Sequence, residues 1–474
     1  MTDHPLLKKA FDFSSMSLAG KKRYSGEEFI DHSLKVASIL EKYKVTDPAT
    51  LSVAVLHHAI TEGAATLDDV EKEFGVEISS MLQTLEGLKV IKLVDTPANE
   101  FAENLRKMFL ALAKDLRIVL IKLADILDNL GTLQYVSEEK QIEIAKETLE
   151  IFAPLAERLG IGEMRGEMQD LSFPYVYPRE HMETKKLLKT SLKKLNKRLL
   201  MIKVDLQGAV KEEKIPFRIE SRTKHLYSLF LKLKRPEINF DISKIYDLNA
   251  FRVIVETKEQ CYQVLGVVHK LWRPLPNYVR DFIATPKPNG YESIHTTVFG
   301  PGGEPFEIQI RTEEMHSEAE YGVASHWNYA EYKEKGATDE DINKGFKTDG
   351  QRLEWVKNLS MWQEEVVETE EFLRSIKTDF LGMRIFVFTP KGEVKDLPSG
   401  ATPIDFAYRV HTILGNLAMG AKVNGKITSL DTKLKNGDVV EILVSKDKNR
   451  KPNKDWLNFV ATSEAKRRIR KATI

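Results

Sequence analysis

The spacing of apolar residues changes character partway along this chain, and no single kind of domain satisfies both spacings. From about residue 25 to 165, stretches such as HSLKVASILEKY, LSVAVLHHAI and KQIEIAKETLEIFAPLAERLG carry apolar residues three and four apart, which lines them along one stripe of a helix. Gly and Thr punctuate these stretches, so the spacing predicts a helical bundle. The two prolines of FPYVYPREH break the pattern, and KKLLKTSLKKLNKRLLMIKVDLQGAV reads as a basic amphipathic helix. Between about 215 and 330 the period shortens: FRVIVET, TTVFG and FEIQIRT read as strands, with CYQVLGVVHKLW as a helix between them. That predicts a mixed α/β domain. The polar stretch 334–350 reads as a linker, and a short helix is predicted around LEWVKNLSMWQEEV. RIFVFTPKGEVKDLP then predicts a hairpin turning at Lys391 and Gly392, TPIDFAYRVHTILGN a helix, and AKVNGKITSL and DVVEILV further strands.

With 474 residues, the chain is long enough for several cores. Its 71 basic residues against 70 acidic ones exclude a uniformly basic nucleic-acid binder, while leaving room for local basic patches. The single Cys261 excludes an internal disulfide and fits a reducing compartment. No apolar run approaches the ~18 residues of a membrane helix, and the N-terminus lacks the apolar core of a signal peptide. The expectation is a cytoplasmic chain with no membrane partner.

Polar chemistry is densest in residues 221–326. SRTKHLYSLFLKLKR, read as an amphipathic helix, brings Arg222, Lys224, Ser228 and Lys232 close in sequence, and IYDLNAFRVIV sets Asp247 at the edge of a strand that carries Arg252. RDFIATPKPNGYESIHTTV adds Arg280, Lys287, Asn289, Tyr291 and His295. In EIQIRT, Glu307, Gln309 and Arg311 alternate with isoleucines and so share one face of a strand whose other face is buried. Taken singly, such charges are mostly a solvated surface. Two carboxylates on separate strands, several cations and an aromatic together suit a site for two nucleotides and a Mg²⁺ ion, which prefers one or two carboxylates plus phosphate oxygens.

SRTKHLYS, IYDLNAFRVIV, ATPKPNGYESIHTTV, EIQIRTEEMHSEAEYGVASHW and DFAYRVHTILGNLAMGAKVNG closely resemble the long RelA/SpoT homologues, the (p)ppGpp synthetase/hydrolases of the bacterial stringent response. The resemblance spans nearly the whole chain. It implies an all-α HD-type helical bundle over 1–175, an α/β nucleotidyltransferase-like synthetase domain with a mixed sheet over 176–345, a linker with a helix over 346–382 and a small β-grasp TGS domain over 383–446. Residues 447–474 would begin a following helical segment, and the chain reads as C-terminally truncated. The implied reaction moves the β,γ-pyrophosphoryl group of ATP to the 3′-hydroxyl of GTP or GDP. Asp247 and Glu307 would hold Mg²⁺, with Glu307 helping to deprotonate the hydroxyl. Arg222 and Arg252 would sandwich adenine, Lys224, Ser228 and Lys232 would hold ATP phosphates, and Arg280, Lys287, Asn289, Tyr291, His295 and Gln309 would serve the acceptor. Where many family members read Arg-x-Lys-Asp, this chain reads Tyr278, Val279, Arg280, Asp281, which bears on the choice between GTP and GDP.

The resemblance further implies a Mn²⁺-dependent hydrolase in the helical domain. Its ligands fall on His32, His57, the following residue and Asp125, but that following residue, an aspartate in the family, is His58 here. The Glu-Asp pair that activates water in the family is Thr61 and Glu62, and ADRLHN has become ADILDN, with Ile126 and Asp128 in place of an Arg and a His. Tyr24 and Gly131 stand where basic residues are common, while Arg23, Asn129 and Thr132 are retained. The sequence therefore predicts a hydrolase domain that is inactive and regulatory, with Mn²⁺ bound weakly or replaced by a softer metal, and with Glu62 as the substitute base if any activity survives. His411 of YRVHTILG matches the histidine with which the family's TGS domain contacts uncharged tRNA on the ribosome. The basic segments SKDKNRKPNKDW and EAKRRIRKATI fit either phosphate contacts or solvated tails. Two other readings remain open: a bifunctional synthetase/hydrolase, and a noncatalytic tRNA- or ribosome-binding sensor.

Overall fold

A computed structural model describes residues 4–89, 103–105, 108, 115–287, 290–322, 384–447 and 450–473. Asn289 and the expected linker and helix of 346–382 lie outside the described residues. The chain divides into two compact units, Met1–Ile283 with Tyr291–Gln363, and Ala284–Gly290 with Glu364–Ile474.

The first unit begins as the expected helical bundle. LSVAVLHHAI is apolar almost all the way round, so its helix, α3 (Pro48–Thr61), runs through the middle of the bundle with Val53, Ala54, Val55 and Leu56 fully buried. Asp47 starts this helix by accepting a hydrogen bond from the Thr50 amide at 2.9 Å. Around it pack α1 (Pro5–Ser17), α2 (Phe29–Lys42), α5 (Val76–Lys89) and α6 (Leu116–Gly131); α4 (Leu67–Phe74) lies against α5. Further on, α7 (Glu138–Glu147) passes through a π-helical turn into α8 (Ala153–Arg158), and α9 (Gly162–Val176) follows. The predicted proline break falls at Tyr177: α9 carries Pro174 in its last turn, and the 35-residue α10 restarts on Pro178.

The sheet that follows has five strands in the order β1 (Phe217–Thr223), β2 (Asn249–Val255), β5 (Pro305–Thr312), β4 (Ile294–Phe299), β3 (Pro274–Asp281). Only β2 and β5 run parallel, so the sheet is mixed, as expected. One face is apolar: Phe251, Val253, Ile308 and Ile310 pack under Ile202, Leu206 and Val210 of α10 and under Cys261, Val264 and Val268 of α12 (Lys258–Leu271). The other face is polar. Glu220, Arg252, Gln309, His295 and Arg280 stand in register across all five strands. Contrary to the simple alternation argument, this face is not left to solvent: Gln309 and Arg311 are buried, in part beneath α13 (Glu313–Tyr321).

The second unit contains a two-stranded sheet, β6 (Arg384–Phe388) with β7 (Val394–Pro398), and a three-stranded sheet in the order β10 (Val440–Val444), β8 (Ala418–Val423), β9 (Lys426–Thr428). One parallel bridge, Phe388 to Val439, joins them. The hairpin turns where predicted, with Gly392 at φ +84°. The predicted single helix is two: α14 (Pro403–Val410) and α15 (Thr412–Asn416), separated by His411 in an extended conformation. The basic end of the chain is no solvated tail. As α16 (Ser463–Thr473) it buries Ala465 and Ile469 with Ile404, Tyr408 and Trp456. Asp405 unites these elements: it caps α14 through Thr402 and also accepts from the Ala461 amide at 3.1 Å and the Thr462 amide at 2.7 Å.

Candidate functional site

Arg222, Lys224, Ser228, Asp247 and Gln309 line one cleft. Arg222 reaches it from the end of strand β1, not from the helix the sequence suggested; the helix, α11 (Leu226–Leu233), starts only after His225. Asp247, in the turn leading into β2, receives Lys224 on one oxygen and Lys232 on the other, both at 2.8 Å. Burial works against its charge, yet these two ammonium groups hold its pKa far below the usual carboxylate range. Lys224 moves down as well, chiefly through burial and with Lys232 and Arg222 nearby, and Asp247 opposes the shift.

Glu307 lies deeper. Burial again favours the neutral form, but His295, whose Nδ1 is 3.4 Å away, and the Gln309 amide, which donates at 2.8 Å, bring it down to about 2. The Asp247 charge acts on it in the opposite sense, which places the two predicted carboxylates within electrostatic reach of each other. Tyr291 is tied to the same histidine, its hydroxyl 2.7 Å from Nε2. Both carboxylates are therefore ionised, and together with phosphate oxygens they form a donor set that fits Mg²⁺.

Arg252 is held by a group the sequence did not mark. Glu320 of α13 lies 3.0 Å from both Arg252 and the fully buried Arg311, which also meets His316 at 2.8 Å. Burial, with Arg311 and Arg222 alongside, lowers Arg252 to about 10. Of the remaining predicted residues, Arg280 is exposed on β3, and Lys287 belongs to the segment Ala284–Gly290 that goes with the second unit.

In the helical bundle, His32 on α2, His57 and His58 on α3 and Asp125 on α6 offer ligand atoms that all lie within 4.8 Å of one another. His57 Nδ1 is 2.6 Å from the Ala54 carbonyl, which can only accept, so the proton is on Nδ1 and the lone pair on Nε2. His32 Nδ1 similarly lies 2.6 Å from Asp128, a ligand-orienting arrangement typical of metal-bound histidines. Asp128 is thus more than a lost phosphate contact. Arg23 braces it at 3.1 Å and also reaches Asn129, and Thr132 lies 3.5 Å from the same guanidinium. Burial opposes the charge on Asp125, but Lys122 at 3.2 Å and the nearby His32 and His57 hold its pKa well down. The set fits a divalent cation, with one more imidazole and one fewer carboxylate than the family pattern implies. Thr61 spends its hydroxyl on the His57 carbonyl at 2.9 Å and on Glu86, a carboxylate the sequence reading missed. Glu62 stands 3.9 Å from His58.

Comparison with known proteins bears on all of these features. Residues 10–162 match the family described as "HD domain", 221–334 "Region found in RelA / SpoT proteins", and 385–444 "TGS domain". The chain is 43% identical over 470 residues to "GTP pyrophosphokinase" of Myxococcus xanthus. The chain belongs to the RelA/SpoT family. It is also 40% identical over 470 residues to "GTP pyrophosphokinase" of Streptomyces coelicolor, and 40% identical over 464 residues to "Bifunctional (p)ppGpp synthase/hydrolase SpoT" of Escherichia coli K12. These alignments take in 98–99% of the chain but only 60%, 55% and 64% of the respective relatives. Asp247, Glu307, Arg222 and Arg252 fall inside the RelA/SpoT region, and the four metal-ligand candidates inside the HD domain. RelA/SpoT relatives carry names for both synthesis and hydrolysis, so membership alone does not separate the two activities.

Proposed function

We propose that this RelA/SpoT chain transfers the β,γ-pyrophosphoryl group of ATP to the 3′-hydroxyl of GTP or GDP, releasing AMP. What supports this reading above all is Asp247 in a cation-lined cleft, with Glu307, held by the cleft residue Gln309, within electrostatic reach of it. Arg222 and Arg252 take adenine between their planar guanidinium groups. Lys224, Lys232 and Ser228 hold the triphosphate, the two lysines exchanging Asp247 for phosphate oxygens. Asp247 and Glu307 would hold Mg²⁺, which would supply neutralisation of phosphate charge. Glu307 orients the 3′-hydroxyl and accepts its proton as the new O–P bond forms at the β-phosphorus, the bond from the β-phosphorus to the oxygen that bridges it to the α-phosphorus breaks, and AMP departs with that oxygen. Tyr291, fixed by His295, stacks on guanine, with Gln309 and Arg280 toward the acceptor side.

The bundle site binds a divalent first-row cation richer in imidazole affinity than Mn²⁺ and serves regulation, because Thr61 cannot act as a base and Asp128 is committed to His32 and Arg23. A second reading, residual removal of the 3′-pyrophosphate, gains support from Glu86, whose carboxylate sits one turn beyond the paired histidines on Thr61. In the TGS domain, exposed His411 accepts from the Ile413 amide through Nδ1 at 3.2 Å, which leaves Nε2 for a partner such as the end of an uncharged tRNA on the ribosome. Nucleotide chromatography tests the main reading. ATP with GDP and Mg²⁺ yields AMP and ppGpp, while ppGpp incubated with Mn²⁺ or Zn²⁺ stays intact. Full transfer by the Glu307→Gln variant overturns the assignment.

A further inference from the structure

The cleft has a wall that the RelA/SpoT region does not supply. Arg165 lines it alongside Arg222, Lys224 and Asp247, yet Arg165 belongs to α9 and lies between the two matched regions that end at 162 and begin at 221. Its Nη1 reaches Glu157, a mostly exposed carboxylate, at 2.6 Å. Its Nε is buried and, among the described residues, has no hydrogen-bond partner. A guanidinium with one edge satisfied at the surface and another N–H desolvated without an acceptor lacks a ligand oxygen there.

The neighbouring contacts fix α9 against the cleft. Two residues before Arg165 and five after it, Glu163 and Asp170 hold His225 between them, at 3.5 and 2.9 Å, and Asp170 also accepts from the Tyr227 amide at 2.9 Å. Gly166 allows this approach: a Cβ there would lie 2.3 Å from the His225 ring. The strand-to-helix turn that carries Lys224, and with it the first turn of α11 that carries Ser228, is thus locked to the helix that carries Arg165. The lysines already share Asp247. Among the described residues Arg222 makes no ion pair, and Arg165 keeps its buried N–H without an acceptor. The cleft consequently has surplus positive charge for a polyanion.

We infer that Arg165 is a donor-nucleotide ligand supplied by the helical domain, contacting the phosphates of ATP. This rests on the proposed pyrophosphoryl transfer. One charge-assisted contact of this kind corresponds to an affinity change on the order of tenfold. The test uses the full chain and α,β-methylene-ATP, whose transfer bond cannot break, in titration calorimetry of wild type, Arg165→Ala and Arg165→Lys. The alanine variant is expected to bind the analogue on the order of tenfold more weakly, with lysine restoring most of the loss. In turnover, KM for ATP rises while kcat and KM for GDP stay within about twofold. Unchanged analogue affinity in Arg165→Ala overturns the inference, as does a loss spread equally over kcat and both substrates, the mark of general misfolding. A wild-type chain that binds the analogue but forms no AMP overturns the transfer reading while leaving the Arg165 comparison readable.

Discussion

Glu307 and Asp247 are held ionised by neighbours of opposite charge, and this sets how the activity depends on pH. With Glu307 down at about 2 and Asp247 depressed further, neither carboxylate titrates between roughly pH 5 and 8, so kcat/KM is expected to show no acidic limb there. A limb assigned to either carboxylate in a pH–rate profile would show that its pKa is raised into that range and not depressed. Replacing Glu307 by Gln is expected to cut kcat by about 10²- to 10⁴-fold with little change in thermal stability. His225 obeys the opposite sign. Burial opposes its charge, but Asp170 and Glu163 raise it from 6.5 to about 9, so its stabilising contribution is complete below 6.5 and disappears as pH climbs through about 9. Unfolding midpoints of wild type and His225→Gln should accordingly differ at neutral pH, by up to about 2–3 kcal/mol, and converge in alkali. Asp128→Asn should weaken metal retention in the bundle about 10- to 100-fold, measured by competition with a chelator. Little of this was visible in the sequence. Arg165 and Glu86 are single charged residues outside the quoted motifs, Glu320 is one acidic residue among several in EIQIRTEEMHSEAEYGVASHW, and a lone charge on a helix looks like solvated surface until the fold brings a partner to it.

Whether a strand could be read depended on its place in the sheet. The strands β2, β4 and β5 lie inside it and alternate or run apolar, so their composition announced them. At the two edges lie β1 and β3. FRIESRT carries three charged residues, and PLPNYVRD has two prolines and a mixed-sign pair. An edge strand leaves one row of amides unpaired and tolerates proline and charge for that reason, which removes the alternating signal. Arg222 was assigned to a helix because of this masking. The helix–helix corners have a sharper signature. Gly322, at φ +54°, closes α13 against the turn between α8 and α9, where a Cβ would come 2.3 Å from the Leu159 carbonyl. Neither backbone can yield cheaply, so Gly322→Ala is expected to destabilise the first unit by about 2 kcal/mol or more, seen as a lower unfolding midpoint, and to raise KM for ATP through Glu320.

At the scale of the molecule, the order of helical bundle, mixed sheet and small β module was legible because each stretch has its own apolar period. Charge bookkeeping was less informative: a net charge of +1 conceals a strongly cationic cleft. The proposed inactive hydrolase predicts a separation of functions: a thermal shift with Zn²⁺ larger than with Mn²⁺, and no release of pyrophosphate from ppGpp with either ion. Among the described residues no helix is long and apolar enough to cross a membrane. The C-terminal helix, whose basic sequence fitted either phosphate contacts or a solvated tail, is anchored by a buried carboxylate. Asp405 begins one helix and ties down the approach to another, so shortening the chain before Ala461 would strip that carboxylate of donors from two backbone amides and a hydroxyl. Anyone cutting this protein back to its three matched regions would therefore remove a keystone along with the positive charge, and should find the remaining β module less soluble and easier to melt.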